Sequence, residues 1–239
     1  MVPRALTPVG IALVDKPAGP SSFAIVAALR RRTGARTGHA GTLDPFATGL
    51  LLLLSGAATR LAPCLVGLDK RYVTDVDLSA TTSTGDPEGE VVERHDPPSA
   101  DELEEALARL RGVVELPVPA ASAVKIAGER SYRLARRGIA VEMPVRRSTV
   151  YALEAVERTE SSVRLDLTVS SGTYVRSIAA ALGGHCTTLR RTEVGPFPVA
   201  EARPVEAAVL RPPAAVLALL PPEALARVPD EVREGVLAR

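Results

Sequence analysis

Residues 38–49 read GHAGTLDPFATG, a stretch in which small and chain-bending residues surround a single carboxylate, Asp44. Pro45 has a fixed φ and restricts the residue before it, so we expect Asp44 in an extended or turn conformation. Gly41 and its neighbouring glycines let the backbone approach a bulky group closely. Such a loop can present a catalytic acid. It is also typical of an ordinary turn or of the N-cap of a helix.

The composition of the chain predicts a globular protein without a membrane anchor. Its 239 residues are 46% hydrophobic, enough for one sizeable core or two small ones. No apolar run approaches the roughly 18 residues of a membrane helix, and Met1–Pro20 lacks a signal-peptide pattern. Cys64 and Cys186 form no disulfide framework, and the three histidines have no metal-binding spacing. We therefore expect a cytosolic protein that holds no metal.

Positive charge is clustered along the chain, although the net charge is only +1. A folded face built from such clusters could follow a phosphate backbone, whereas any one cluster alone is typical of a solvated helix face. All three lysines fall in the sequence motifs considered below. The clusters are Arg30–Arg32 with Arg36, Lys125–Arg137, Arg146–Arg147 and Arg190–Arg191.

The hydrophobic pattern predicts strands and helices in an irregular order, which favours an α+β fold. Strands are expected at Ile11–Val14, Tyr72–Leu78 and Val163–Val169. Helices are expected from Ser21 or Ser22 to about Arg32, over Ala47–Leu54 and Ala57–Val66, after a capping box at Ser99–Glu102, and over Thr173–Leu182. Residues 33–45 and the exposed segment Thr81–Glu90 are expected to be loops.

Six blocks of sequence, in order and spread over roughly residues 10–205, resemble the TruB family of tRNA pseudouridine synthases. One block alone would be weak evidence, but six in the same order are specific. They are Asp15–Ser22, His39–Gly49, Lys70–Tyr72, Ser122–Lys125 with Gly128–Arg130 and Tyr132, Gly172–Arg176, and Leu189–Thr192 with Gly195–Phe197. The resemblance implies a mixed, mainly antiparallel sheet flanked by helices, with a central RNA-binding cleft.

The resemblance also implies the chemistry. The enzyme would flip uridine-55 out of the T arm of tRNA, break its glycosidic bond and rejoin the base through carbon, without a cofactor. Asp44 would be the nucleophile or initiating base. Arg176 would be its bidentate counter-ion, and Tyr72 would lie against the target base.

Further residues are candidates for contacts with the RNA. His39 would act as an aromatic wedge or, alternatively, make an ordinary loop hydrogen bond. Tyr174 and Leu189 would line the pocket, and Lys16 and Lys125 would be phosphate or structural lysines. Arg36, Arg190 and Arg191 would contact phosphates. Two departures from the family pattern are Ala121, where an aromatic residue is usual, and a shortened segment between Arg176 and Leu189.

The predicted organisation is a catalytic domain over residues 1–205 and a short C-terminal segment over 206–239, too short for a complete PUA domain. We expect a monomer with no obligate protein partner, unlike the archaeal and eukaryotic branch that works inside a ribonucleoprotein. Two other classes of protein are alternatives to a pseudouridine synthase. A non-catalytic RNA-binding module would leave the Asp44 loop without a role, and a retaining glycosidase would need a second carboxylate about 5–5.5 Å from the first.

Overall fold

The computed structural model describes residues 8–122, 124–126, 129–131 and 143–238, and the chain forms two compact units. Unit 1 combines Met1–Arg71 with Arg190–Arg239, and unit 2 is Tyr72–Leu189. Each unit is described below by itself. Of the predicted site residues, the Asp44 loop and its basic neighbours lie in unit 1, whereas Tyr72, Tyr174, Arg176 and Leu189 lie in unit 2.

The described residues form an α+β fold, as predicted. The helices are α1 (Ser22–Thr33), α2 (Ala62–Val66), α3 (Ala100–Leu110), α4 (Val175–Ala181), α5 (Pro213–Leu217), α6 (Pro222–Leu225) and α7 (Asp230–Leu237). The strands are β1 (Gly10–Lys16), β2 (Thr37–His39), β3 (Thr48–Ser55), β4 (Lys70–Asp77), β5 (Ala80–Thr82), β6 (Val91–Arg94), β7 (Gly112–Pro117), β8 (Lys125–Ile126), β9 (Glu129–Arg130), β10 (Val145–Arg158), β11 (Ser162–Val169), β12 (His185–Val194) and β13 (Phe197–Pro198).

A mixed, mainly antiparallel sheet of nine strands organises the described chain. Its strand order is β1-β3-β12-β4-β11-β10-β7, with β2 added to β3 and β13 added to β12. β3 pairs antiparallel with β1 and parallel with β12, where Thr48 faces Arg190 and Gly49 faces Arg191. The sheet is the kind that the family resemblance implies.

The first helix begins as its sequence predicts. The side chain of Ser21 accepts a hydrogen bond from the amide of Ala24, and the buried face carries Ile25, Val26 and Leu29. Gly34 ends the helix in the left-handed conformation. α3 likewise has the predicted capping box at Ser99 and Glu102. Local signals therefore place both helices correctly.

The prediction of a helix over Ala47–Leu54 is wrong, because Thr48–Leu54 belong to the strand β3 and Ala47 belongs to the preceding loop. Residues Gly49–Ser55 of β3 are buried without alternation, since strands and packed elements cover the whole run. A short, continuous apolar run looks the same in a buried strand as in a buried helix. Gly49, which has φ +101°, marks the start of the strand instead.

The C-terminal segment contributes to the core of unit 1. Val216, Leu217 and Val236 are buried in one cluster with leucines of β3 and with Leu61 and Leu65. The predicted division at residue 206 stays a prediction; the helices that follow it pack in the unit that carries the Asp44 loop. Burial of apolar side chains is the main favourable term in that packing.

Candidate active site

The Asp44 loop, defined here as Ala40–Ala47, connects β2 to β3 in unit 1. The Asp44 carbonyl accepts a hydrogen bond from the Ala47 amide at 3.2 Å, which closes a turn over Asp44, Pro45 and Phe46. The expected turn is therefore present. Asp44 itself is half-buried, as a carboxylate must be if it is to be both held in place and reached by a substrate.

Helix α1 fixes the residue just before Asp44. Ser22 Oγ donates to the Leu43 carbonyl and accepts from the Leu43 amide, and both distances are 2.9 Å. On the other side, the Gly19 amide donates to the Pro45 carbonyl at 2.9 Å. The backbone is thus held on each side of Asp44 by the segment that follows β1.

Lys16 is a structural lysine in this fold. Its side chain is completely buried, and Nζ donates to the carbonyls of Pro17, Pro45 and Ala47 at 2.8, 3.0 and 2.6 Å. A buried ammonium is tolerated only where hydrogen bonds replace its water. The geometry therefore favours the structural alternative over a phosphate contact.

Arg191 supports the opposite end of the same loop. Its side chain is 1% exposed. Nε donates to the Leu50 carbonyl at 2.7 Å, Nη2 to Gly41 at 3.0 Å and Nη1 to Thr42 at 3.4 Å. The prediction that Arg191 contacts phosphate does not fit this position, because the guanidinium is buried against backbone carbonyls.

A second buried cation, Lys70, lies close to Arg191. Nζ of Lys70 donates to the carbonyls of Val66 and Leu68. The pKa of Lys70 is lowered from 10.5 to about 7. Burial is the main cause, and the charge of Arg191 is the second. Two basic side chains, Lys70 and Arg191, thus lie behind the Asp44 loop, close to Gly41.

His39 contacts an aromatic ring, and burial lowers the pKa of its imidazole. Its ring meets that of Phe23 edge to face, with centroids 5.4 Å apart. Burial, and secondarily the charge of Arg191, lower the pKa of His39 below 6.5. Phe23 is 62% exposed, so the two rings lie at the surface of unit 1. Their contact gives His39 a defined ring orientation, which an aromatic wedge requires.

The other basic candidates of unit 1 differ in their surroundings. Arg190 forms a bidentate ion pair with Asp15 at 3.1 and 2.8 Å, beside a cavity of about 500 Å³ that α1 helps to line. Its charge is therefore already balanced by a carboxylate. Arg36 is exposed. The side chain of Lys125 lies outside the part of the chain that the structure describes.

Arg176 is held in unit 2 by a buried carboxylate, Asp86. Nη1 of Arg176 lies 3.0 Å from Asp86 Oδ2, and the two side chains are 2% and 6% exposed. Nη1 also donates to the Thr84 carbonyl at 2.7 Å, and Nη2 donates to Ala121 at 2.9 Å. The guanidinium is therefore fixed from several directions at the start of α4.

Asp86 was missed from the sequence, where Thr81–Glu90 was predicted to be only an exposed loop. Asp86 is buried because it also accepts hydrogen bonds from Thr84 Oγ1 at 2.5 Å and from the Glu88 amide at 3.1 Å. One signal was available, since Gly85-Asp86-Pro87 places an acid between a glycine and a proline. Nothing in the sequence pairs that acid with Arg176.

The remaining candidates of unit 2 are arranged as follows. Tyr72 is buried on β4, on the same face as Thr74 and Val76, which confirms the predicted alternation. Tyr174 is half-buried at the residue before α4, and Leu189 is buried in β12. The predicted pairing of Asp44 with Arg176 joins residues of different units and stays a prediction.

Within the described ranges, no group of three or more His, Cys, Asp or Glu side chains could hold a metal ion. No helix in the same ranges is long and apolar enough to cross a membrane.

Solved structures with the same fold define the class of protein. A Cbf5–Nop10–Gar1 complex matches with a TM-score of 0.61 and 28% identity over 79% of this chain and 50% of that chain. This chain therefore spans about half the length of that relative. A structure described as a pseudouridylate synthase matches with a TM-score of 0.50 and 16% identity, over 90% of this chain and 76% of that chain, and shows the fold alone. The fold is that of pseudouridine synthases.

Sequence comparison identifies the family. The model of the TruB family pseudouridylate synthase N-terminal domain matches residues 30–175. The tRNA pseudouridine synthase B of Mycobacterium sp. (strain KMS) is 43% identical over 83% of this chain and 71% of its own length. That of Thermobifida fusca (strain YX) is 44% identical over 81% and 72%. The chain belongs to the TruB family.

Proposed function

We propose that this chain isomerises uridine-55 in the T arm of tRNA to pseudouridine. The bond between N1 of the base and C1′ of the ribose breaks, the uracil turns, and a bond from C5 to C1′ forms. The proton on C5 leaves to solvent and N1 gains one, so the product is an isomer and no co-reactant is consumed. Uracil buried in a folded tRNA must first leave its stack to reach a protein carboxylate.

The observation that carries the proposal is the restraint of the Asp44 loop. Ser22, Lys16 and Arg191 hold carbonyls before and after Asp44, while Asp44 itself stays half-buried. A catalytic group gains most when its position is fixed before the substrate arrives. Asp44 is therefore our catalytic carboxylate. Tritium release from C5 is expected whether Asp44 attacks the ribose or the base first.

Arg176 and Tyr72 complete the proposed catalytic set. We assign Arg176 as the cation that orients the Asp44 carboxylate, and the pair with Asp86 supports this role because it fixes the guanidinium. Tyr72 would stack against the flipped uracil or assist a proton transfer at the sugar. Tyr174 and Leu189 would line the pocket, and His39, whose ring contacts Phe23, would act as the wedge that replaces the base.

Contacts with the tRNA backbone are proposed for the exposed arginines only. Arg36 is exposed. Arg190 forms an ion pair with Asp15, but 42% of its side chain stays exposed, and we propose that this part contacts a phosphate. Lys16 and Arg191 are assigned to the loop instead. We further propose a cytoplasmic protein that acts as a monomer, without metal, cofactor or obligate protein partner.

Tritium release tests the reaction. The purified chain is incubated with unmodified tRNA labelled with tritium at C5 of uridine, in the presence of EDTA. We expect one tritium released per tRNA, and none from tRNA that has cytidine at position 55. Binding without release would instead support the alternative of a non-catalytic RNA-binding module. Activity of the chain alone would also exclude a need for protein partners.

Two variants test the assigned residues. Asp44→Asn should abolish release, whereas Asp101→Asn, an exposed acid in the first turn of α3, should not. Arg176→Ala should lose turnover far more than affinity for tRNA. Equal losses of rate and affinity would make Arg176 a mere phosphate contact, and release by Asp44→Asn would remove Asp44 from the mechanism.

A further inference from the structure

We infer that Arg191 is a positioning residue, which sets the geometry of the Asp44 loop through its backbone and never touches the RNA. The inference rests on the proposed function where it concerns the reaction. It concerns a residue far from the loop in sequence: Arg191 lies in β12, whereas Asp44 lies in the loop that precedes β3.

The guanidinium joins the two ends of the loop. Gly41 and Thr42 precede Asp44 by three and two positions, and Leu50 follows it inside β3. Three different nitrogens of Arg191 serve these carbonyls, Nη2 for Gly41, Nη1 for Thr42 and Nε for Leu50. A planar fork with fixed donor directions fixes the separation between the carbonyls that it binds, which a flexible ammonium does not.

The backbone of Arg191 is fixed as well. It pairs with Gly49 in the parallel register of β12 and β3. The approach is so close that a Cβ on Gly49 would lie 2.2 Å from the Arg191 carbonyl oxygen. The side chain is 1% exposed. Arg191 therefore has neither the freedom nor the access that a contact with phosphate would require.

Arg191 is distinguished by this geometry from its neighbour Arg190, although the two are adjacent in sequence. Side chains alternate between the faces of a strand. Arg190 consequently pairs with Asp15 and remains partly accessible, with 42% of its side chain exposed. The side chain of Arg191 lies in the interior behind the loop. Its charge contributes, after burial, to the lowered pKa of Lys70 and of His39. Two adjacent arginines thus have different roles.

The test compares Arg191→Lys with Arg233→Lys. Arg233 also donates to backbone carbonyls, those of Leu225 and Val228, but in the C-terminal helices. Amide hydrogen exchange is measured without tRNA. In Arg191→Lys we expect faster exchange at Ala40, Leu43 and Ala47, the loop amides with hydrogen-bond partners, and in Arg233→Lys no change there. Single-turnover tritium release should fall by about 100-fold in Arg191→Lys, with tRNA affinity changed less than twofold.

Several outcomes would overturn the inference. These are unchanged exchange at the three loop amides in Arg191→Lys, or a loss of tRNA affinity that matches the loss of rate. If Arg191→Lys does not fold, amide exchange in the wild type is the test. The inference then requires the three loop amides to be as protected as the amides of β3, and faster exchange at them would overturn it. Since exchange is measured on the free protein, it reports on Arg191 even if the wild type releases no tritium, a result that would refute only the proposed function.

Discussion

Replacing Asp86 by asparagine tests whether the buried ion pair of unit 2 is needed both for stability and for catalysis. Asn keeps the shape of the side chain and can still accept hydrogen bonds from Thr84 Oγ1 and the Glu88 amide. It removes the charge that lies 3.0 Å from Arg176 Nη1. The guanidinium, with 2% of its side chain exposed, then loses the charge of Asp86.

The expected loss in the free energy of unfolding follows from the burial of this ion pair. Breaking a buried ion pair from one side costs about 3–5 kcal/mol, because the remaining charge has lost its compensation. Arg176 keeps the carbonyls of Thr84 and Ala121, so we expect the lower end, about 3 kcal/mol. Glu104→Gln is the matched control. It removes an ion pair with Arg111 of similar length, 2.9 Å, whose side chains are largely exposed, and such pairs contribute under about 1 kcal/mol.

Urea unfolding of both variants measures the cost in stability, and single-turnover tritium release measures the effect on the reaction. On the proposed mechanism, in which Arg176 orients the catalytic carboxylate, we expect Asp86→Asn to slow release at unchanged tRNA affinity. Glu104→Gln should alter neither. The reasoning is refuted if the two variants lose the same free energy of unfolding, or if Asp86→Asn releases tritium as fast as the wild type.

Three further perturbations follow from unit 1. Because the pKa of Lys70 is lowered to about 7 when folded, only the unfolded chain holds this proton between pH 7 and 10.5. Stability should therefore rise by about 1.4 kcal/mol per pH unit in that window, and urea titrations of Lys70→Met should lack this rise. Gly49→Ala should cost about 3 kcal/mol or more in the same assay, since φ is +101° and the new Cβ would overlap the Arg191 carbonyl; a neutral result would mean that the parallel strands separate easily. Ser22→Ala leaves the buried amide of Leu43 without its acceptor, so we expect a loss of about 1–3 kcal/mol and slower tritium release, and an unchanged release rate would contradict a role for Ser22 in placing the loop.

Sequence reasoning succeeded where the signal is local. The cap of α1 at Ser21, the capping box at Ser99 and the turn after Asp44 each depend on residues a few positions apart. The alternation of apolar and polar side chains also predicted β4 and β11, because one face of each strand is more buried than the other. The order of the motif blocks then supplied the family.

Prediction failed where the environment, and not the segment, decides the structure. Ala47–Leu54 became a strand because both faces of β3 are covered, a fact absent from its own pattern. Arg191 was predicted to contact phosphate, and for Lys16 the phosphate and structural alternatives stayed open, because charged residues seldom lie in the interior. They are buried because the loop supplies carbonyl oxygens that replace water. Asp86 was overlooked for the same reason, since its burial depends on Arg176.

These failures share a physical cause that also explains the loop. A loop between two strands has backbone carbonyls that are not paired within a strand or helix and need other donors. In this fold, buried cations satisfy them: Lys16 on Pro45 and Ala47, and Arg191 on Gly41 and Thr42. A cation is a stronger donor than a neutral group in a low-dielectric interior, so the same contacts that remove unsatisfied oxygens also restrain Asp44. Lys16 and Arg191 are therefore used by the loop although both belong to the motif blocks, and the contacts with RNA that we propose are left to basic residues that stay exposed.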